Sequence, residues 1–239
     1  GQKPHLLRQI HNNLGAETHL HYAPSTQFYL ADQQAGTPWL TKIPFPVPVV
    51  ERVETLDRIS GNRFVSRYRY RHGYFDGEER EFRGFGYVEQ IDTESFAAFE
   101  AAGSTNATAA AFHVPPVLTK TWFHTGVYRD RDRLAHLFTE EYYDTDPQAM
   151  RLPDTAFPAG LTLGDGSEIS QRLTPQEAHE VCRALKGSVL RQEVYALDES
   201  AQSAHPYTVS ESSYQVRWLQ PRQEGQYGNI HVTPRLLLL

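Results

Sequence analysis

Two histidines one residue apart, His19-Leu20-His21, are the first residues of this 239-residue chain whose type and spacing could do chemistry. On a strand they share a face, and a metal can use that spacing. No cysteine or third histidine lies close by in sequence, so the pair reads as part of a surface strand and no metal site is expected. His72, His113 and His124 are scattered, and packing or hydrogen bonding accounts for each. Arg67, Arg69 and Arg71 alternate with Tyr68 and Tyr70, and Arg80 follows across a turn. Guanidinium groups on one strand face suit contact with an anion or an acidic cargo. The plainer reading pairs each with an acidic neighbour on the next strand, where a cross-strand pair contributes about 0.2–1 kcal/mol. The same arginines can stack on Tyr or Phe rings.

Other candidates fail on their surroundings. Gly84-Phe85-Gly86 lacks the third glycine of a dinucleotide fingerprint and falls inside a strand. Asp76-Gly77 and Asp165-Gly166 lack the alternating acidic ligands of a calcium loop and read as turns. Asp130-Arg131-Asp132-Arg133 reads as a solvated face. Cys182 falls on the apolar stripe of a helix, where burial is the ordinary outcome. Ser, His and Asp all occur, but no nucleophile-elbow sequence does. No catalytic residue is nominated, no cofactor is expected, and the chain does not read as an enzyme.

The element that must position the arginines runs from Phe64 to Val88 and reads as a long β-hairpin. Aromatic and Arg residues alternate through Tyr68–Arg71 with the period of a strand. Asp76-Gly77 has the chemistry of a two-residue type I′ turn. That turn sets a register in which Phe75 faces Glu78, Tyr70 faces Arg83, Tyr68 faces Phe85 and Ser66 faces Tyr87. One face then carries Ser66, Tyr68, Tyr70, Tyr74, Phe85 and Tyr87. The other sets Arg67 opposite Gly86, Arg69 opposite Gly84 and Arg71 opposite Phe82. Glycines across from arginines leave room for a flat guanidinium. The motif as a whole comprises Tyr68, Tyr70, His72, Gly73, Tyr74, Asp76, Gly77, Arg80, Phe82, Gly84, Phe85 and Gly86.

Composition agrees with a β-rich chain: 39% of residues are hydrophobic and 12% are aromatic, which suits strands better than a helical bundle. A net charge of −6 disfavours a general nucleic-acid binder, whose affinity needs a basic surface, and leaves room for a local basic patch. A single cysteine forbids an intrachain disulfide. No apolar run is long enough to span a bilayer as a helix, and direct membrane insertion is not expected. The first residues, Gly1-Gln2-Lys3-Pro4, have no signal-peptide pattern. With Met150 the only methionine, the chain reads as a piece of something longer. Leu236–Leu239 reads as a strand cut in its middle or as an artificial end.

Upstream, Leu6–Ile10 and Glu17–Tyr22 read as strands around an Asn12-Asn13 and Gly15 turn, with Pro24-Ser25-Thr26 breaking the second. Pro44, Pro46 and Pro48 hold an extended edge. Val49–Leu56 reads as a strand, and Asp57–Asn62 turns into the hairpin, giving a meander. Thr93–Ala102 is a short helix candidate. The small, polar run from Gly103 reads as a linker, bounded at Pro115-Pro116. This gives a division into an N-terminal β-meander, 1–102, a linker, 103–116, and a mixed β/α part, 117–239. In the last part, Val117–Phe123 reads as a strand, Arg129–Tyr143 as an amphipathic helix, and residues 150–173 as irregular. Thr174-Pro175-Gln176-Glu177 is a capping box with Pro at the first helical position. The helix that follows carries Ala178, Val181, Cys182 and Leu185 on one stripe, and Gly187 closes it. Val189–Leu197 and Tyr207–Leu219 read as strands. The fold class is therefore mainly β with a few short helices, in antiparallel hairpins that form part of a larger sheet.

Several stretches, in order over most of the chain, carry a family resemblance. They are Asn13-Leu14-Gly15-Ala16, Tyr22-Ala23-Pro24-Ser25-Thr26, Pro44-Phe45-Pro46-Val47 and Ser60-Gly61-Asn62-Arg63. The hairpin stretch from Tyr70 to Gly86 follows, then Pro116–Gly126, Cys182–Gly187, Arg191–Asp198 and Leu219-Gln220-Pro221-Arg222. In them the chain resembles the middle region of the B component (SpvB/TcdB-like) of Tc insecticidal toxin complexes. The resemblance implies a role rather than a chemistry. The segment would be shell and connector material, between a β-propeller region and Rhs repeats, in a β-sheet shell that encloses a cytotoxic effector. Its implied partners are other parts of the same polypeptide, the Rhs-repeat C component and the channel-forming A component. Its implied setting is a secreted, extracellular toxin complex assembled from the bacterial cytoplasm. A second reading is a carbohydrate- or protein-binding β module, and it requires Tyr68, Tyr70 and Trp122 to be exposed around a concave site.

Overall fold

A computed structural model describes residues 4–95, 115–127, 137–144, 151–221 and 229–238. In chain order its elements are β1 (Gln9–His11), β2 (Ala16–Pro24), α1 (Ser25–Gln34), β3 (Pro48–Asp57), β4 (Arg63–Asp76), β5 (Glu81–Ser95) and β6 (Val117–Phe123). A 3₁₀ turn at Thr139–Glu141 follows, then β7 (Leu161–Thr162), β8 (Glu168–Ile169), α2 (Pro175–Ala184), β9 (Val189–Ala196), β10 (Thr208–Gln220) and β11 (Asn229–Leu238). The strands hydrogen-bond in the order β1-β2-β3-β4-β5-β6-β9-β10-β7-β8, with β11 also on β10. The sheet is open and mostly antiparallel; β7 runs parallel to β10.

The meander forms as its sequence anticipates. β2 and β3 pair from Ala16↔Asp57 to Pro24↔Pro48, with a register shift at His21/Tyr22. Both prolines sit at the end of the ladder, where a missing N–H costs least. Asp57 then turns the chain. Its Oδ1 accepts from the Ile59 amide at 2.9 Å and its Oδ2 from the Ser60 hydroxyl at 2.7 Å. Led by the Ser60 bond, these contacts hold the carboxyl below its ordinary range. The expected strands Val49–Leu56, Val117–Phe123, Val189–Leu197 and Tyr207–Leu219 appear as β3, β6, β9 and β10. Thr174 caps α2 with the full reciprocal box, and Val181, Cys182 and Leu185 are buried.

Three expectations are corrected. Pro24-Ser25-Thr26 does more than break a strand: Ser25 opens α1. The buried members of that helix are Ser25, Phe28 and Asp32, and two polar residues in a buried stripe hide the helical period. Thr93–Ser95 belong to β5 rather than to a helix, and 96–102 lie outside the described residues. Leu137 and Phe138 are in a turn and Thr139–Glu141 in a 3₁₀ turn, not an α-helix; residues 129–136 lie outside the described ones, as do 103–114.

The chain clusters into two units. The first comprises residues 1–71, 88–120 and 194–207. Its buried residues include Ala23, Phe28, Trp39, Val49 and Val65. The Trp39 indole donates to Asp32 Oδ2 at 2.8 Å, and Ser25 is tied to Val47 through its amide and its hydroxyl. The second comprises 72–87, 121–193 and 208–239. It has one core of Val127, Val181, Cys182, Leu185 and Val216 and another of Tyr87, Trp122, Phe138 and Leu190.

Candidate functional site

The hairpin exists, but its turn is longer than Asp76-Gly77 suggests. β4 ends at Asp76 and β5 begins at Glu81, so Gly77–Arg80 form a four-residue loop. Gly77 is not among the positive-φ residues; Arg80 is, at 54°. The cause is the Asp76 carboxylate, whose Oδ1 accepts from the Glu78 and Glu79 amides at 3.0 and 3.1 Å. An aspartate that bonds the backbone two and three residues on builds a wider turn than type I′. The facing pairs move with the loop. A Cβ built on Gly86 would lie 3.1 Å from His72 Cβ, so Gly86 lies against His72 and not Arg67. Gly84 has no atom within 4 Å of such a Cβ, so no Arg69 side chain stands over it; its φ is +94°.

Within the second unit the hairpin tip carries a dense ionic cluster. Arg83, 2% exposed, lies 3.0 Å from Asp76 and Glu79 carboxylate oxygens and 3.4 Å from Glu81. Its Nη1 donates to the Gly126 carbonyl at 2.9 Å. His179 of α2 sits 3.2 Å from Asp76 and 3.4 Å from Glu79. Arg183 reaches Glu79 and Glu81, and Lys186 reaches Glu81 at 2.8 Å. The Lys186 hydrogen bond leads the effects that hold the Glu81 carboxyl below its usual range. His179 and Arg183 recur at i and i+4 on one side of α2, and Lys186 follows in the turn just past its end. Asp76, Arg83 and His179 are buried and each has a charged partner, as burial of charge demands; the cluster reads as a clamp on the loop. Arg83 and His179 were not singled out in the sequence; the signal was four acids, Asp76, Glu78, Glu79 and Glu81, around one tip.

Of the other motif residues, His72, Gly73, Tyr74, Tyr70, Phe82 and Phe85 pack, while Gly77 and Arg80 are exposed and Tyr68 lines an open concavity. His72 is fully buried, stacks on Phe138 at 5.1 Å and places Nε2 2.9 Å from Glu141. Gly73 is buried and Tyr74 packs on the Val181 core. Phe82 meets Phe85 edge-on at 5.5 Å. In the first unit Tyr70 donates to the Val50 carbonyl at 2.8 Å and meets Phe28 edge-on; burial pushes its hydroxyl up to about 12. Trp122, 1% exposed, packs against a tilted Tyr87 ring and meets Tyr142 edge-on, which removes it from any carbohydrate platform.

The four candidate arginines separate. Arg80 is exposed on the loop of the second unit. In the first unit Arg69 and Arg71 share the buried Asp32 carboxylate. Arg67 is exposed and pairs with no carboxylate among the described residues. Arg67 and Arg69 line an open concavity of about 1120 Å³ with Arg8, His19, His21 and Arg52. Its carboxylates are Glu51 and Glu89, and Tyr22, Tyr68, Leu20, Pro46 and Pro48 supply apolar wall. Arg52 lies 2.9 Å from Glu54, which Arg63 also engages. Burial raises the Glu54 carboxyl, but the Arg63 hydrogen bond and the Arg63 and Arg52 charges outweigh it, and the net shift is downward. His19 and His21 face Glu17 and Glu54 at 3.6 Å. No group of three or more His, Cys, Asp or Glu that could hold a metal occurs among the described residues.

Comparisons with known proteins give a consistent result. Residues 1–126 match the family described as the insecticide toxin TcdB middle/N-terminal region, and residues 180–235 match its middle/C-terminal region. No curated protein matches. Among solved structures, the Photorhabdus luminescens Tc holotoxin pore is similar at 36% identity and TM-score 0.77, over 96% of this chain and 10% of that one. TcdB2-TccC3 without its hypervariable C-terminal region is similar at 36% identity and TM-score 0.77, over 97% of this chain and 10% of that one. TcdB2-TccC3 itself is similar at 35% identity and TM-score 0.76, over 96% and 10%. The chain spans about a tenth of the length of these solved chains.

Proposed function

The chain belongs to the family of TcdB-like insecticide toxin middle regions, and from that premise we propose that it is a non-catalytic structural and assembly segment of a Tc-type toxin B component. In this reading it contributes wall to a shell around a cytotoxic effector and connects a propeller region to Rhs repeats. The carrying observation is that both family regions match in chain order on one mainly β chain, whose hairpin motif is spent on packing and ion pairs. The TcdB2-TccC3 structures support an Rhs-repeat C component as partner. A channel-forming A component, and a secreted complex as the setting, follow from the same family reading. The division at 1–102, 103–116 and 117–239 remains our proposed boundary between the two middle regions.

The test is deletion of these residues from the full B chain, co-expressed with its C component. Loss of co-purification, and loss of effector protection against protease, are expected. A deleted chain that still assembles and still shields the effector would show that the segment is not wall.

A further inference from the structure

Residues 151–158 cross the second unit as a strap with no helix or strand of their own. A few points tie them down. The Leu152 amide donates to Glu211 Oε1 at 3.1 Å. Thr155 Oγ1 lies 3.2 Å from His124 Nε2. Ala156 donates to the Tyr214 carbonyl at 3.1 Å and accepts from the Val216 amide at 3.3 Å, both on β10. Phe157 packs on the Val181 core. A segment held by so few contacts opens more readily than the strand it lies on.

The side chains at two of these ties titrate, and acid weakens both. His124 is buried. Thr155 faces it from the strap and the Tyr214 ring from β10, and no charged side chain pairs with it among the described residues. A proton on the ring would be an unpaired buried charge, and burial pushes its pKa down to about 3. Release of Thr155 opens the ring to water and removes that penalty. Glu211 holds Leu152 as a carboxylate shared with Arg191 of β9, whose Nη1 donates to it at 3.1 Å. Arg191 is buried, donates from Nε to Glu193 at 2.7 Å and lies over the Tyr142 ring. A proton on Glu211 takes one of the two charges that compensate this guanidinium. The strap's own charges lie outside this: Arg151 pairs with Asp144 at 3.0 Å, and both Arg151 and Asp154 are exposed. The hairpin tip responds in the opposite sense. His179 of α2 lies 3.2 to 3.7 Å from carboxylate oxygens of Asp76, Glu78 and Glu79, so a proton gained there meets opposite charge. We propose that residues 151–158 are an acid-released strap: protonation of His124 and Glu211 frees them from β10 while α2 and the hairpin tip stay folded. Release leaves the Tyr214 carbonyl and the Val216 amide without their strap partners. The inference rests on the second unit alone and does not depend on the family reading.

Peptide-resolved hydrogen exchange on the purified protein at pH 7 and pH 5, corrected for the intrinsic exchange rates, reads the opening. An imidazole that titrates near its ordinary value once exposed lowers the protection of the strap by about 25-fold between the two. The α2 amides should keep theirs. His124→Gln retains a donor for Thr155 but cannot titrate, and it should lose most of that fall. Glu211→Gln should loosen the strap already at pH 7. If either variant fails to fold, the comparison of strap with α2 in the parent protein still decides. Loss of protection by strap and α2 together would mean global unfolding and would overturn the proposal. So would a strap whose protection ignores pH, a His124→Gln variant that keeps the whole fall, or a Glu211→Gln strap as tight at pH 7 as the parent's.

Discussion

At the scale of single residues, the two hairpin glycines make opposite demands. A methyl group on Gly86 would stand 2.5 Å from Phe138 Cζ and 3.1 Å from His72 Cβ. Both neighbours belong to a packed site, so relief requires moving a ring stack. Gly86→Ala should destabilise by about 1–3 kcal/mol, the range of overpacked cores. Gly84 has open space but a φ of +94°, and Gly84→Ala should lose about 1–2 kcal/mol through backbone strain alone. Chemical denaturation measures both. A second substitution, Phe138→Leu, should soften the Gly86→Ala loss and leave Gly84→Ala untouched; equal behaviour would contradict the packing. The sequence made both glycines visible as special, and the alternation of Arg67, Arg69 and Arg71 was equally plain. What it did not carry was the neighbour of each. That depended on the Asp76 carboxylate widening the loop, which moved every facing pair. Arg67 therefore keeps its candidacy for a reason no local pattern contains: the Asp32 carboxylate, thirty-odd positions upstream, takes Arg69 and Arg71 instead.

At the scale of elements, α2 was legible and α1 was not, and the difference is physical. α2 announces its start by Thr174, Pro175 and Glu177 and its buried face by Val181, Cys182 and Leu185. Thr174 Oγ1 accepts from the Glu177 amide at 3.3 Å, and Glu177 Oε2 accepts from the Thr174 amide at 2.9 Å. Thr174→Ala removes the side-chain half of that exchange and should cost about 1 kcal/mol, read by thermal melting. An unchanged melting temperature would mean that the tip clamp of His179, Arg183 and Lys186 holds the helix without its cap. α1 has no side-chain cap at Pro24; its buried face uses Ser25 and Asp32, whose bonds to Val47 and Trp39 are long-range and leave no periodic trace. The strands β7 and β8 are two residues each, too short for any alternation to register. β11 was legible only at its end, where Leu236–Leu239 read as a strand cut in its middle or an artificial end; Pro234 hides the alternation before it, although the strand pairs with β10 from Asn229 to Leu238.

At the scale of the whole molecule, acid should act first through His124. It is buried, bonds Thr155 Oγ1 at 3.2 Å, meets Tyr214 edge-on, and has no hydrogen-bond partner at Nδ1 among the described residues. Burial pushes its pKa down to about 3. Unfolded, the imidazole titrates near 6.5, so the unfolded chain takes up the proton first. Its contribution to stability is complete above about 6.5 and is lost as pH falls toward 3, at about 1.4 kcal/mol per pH unit. His124→Gln should flatten the stability profile between pH 6 and 4 by one proton; an unaltered slope would mean the ring is wetter than its surroundings indicate. Fold class and family were readable across most of the length because strand alternation and ordered motifs are local. Which side chains become buried ions was not, because it is settled by the closing of distant segments. That closing leaves a consequence for the concavity. Asp32 and Glu54 each hold two arginines, so each is a resident competitor for any incoming carboxylate. An incoming acid would have to displace such a tethered anion at Arg52, Arg63, Arg69 or Arg71, whereas Arg67 pairs with no carboxylate among the described residues. The charge of Arg52, Arg63, Arg69 and Arg71 is thereby spent inside the fold, answering to the chain's own carboxylates before any from outside.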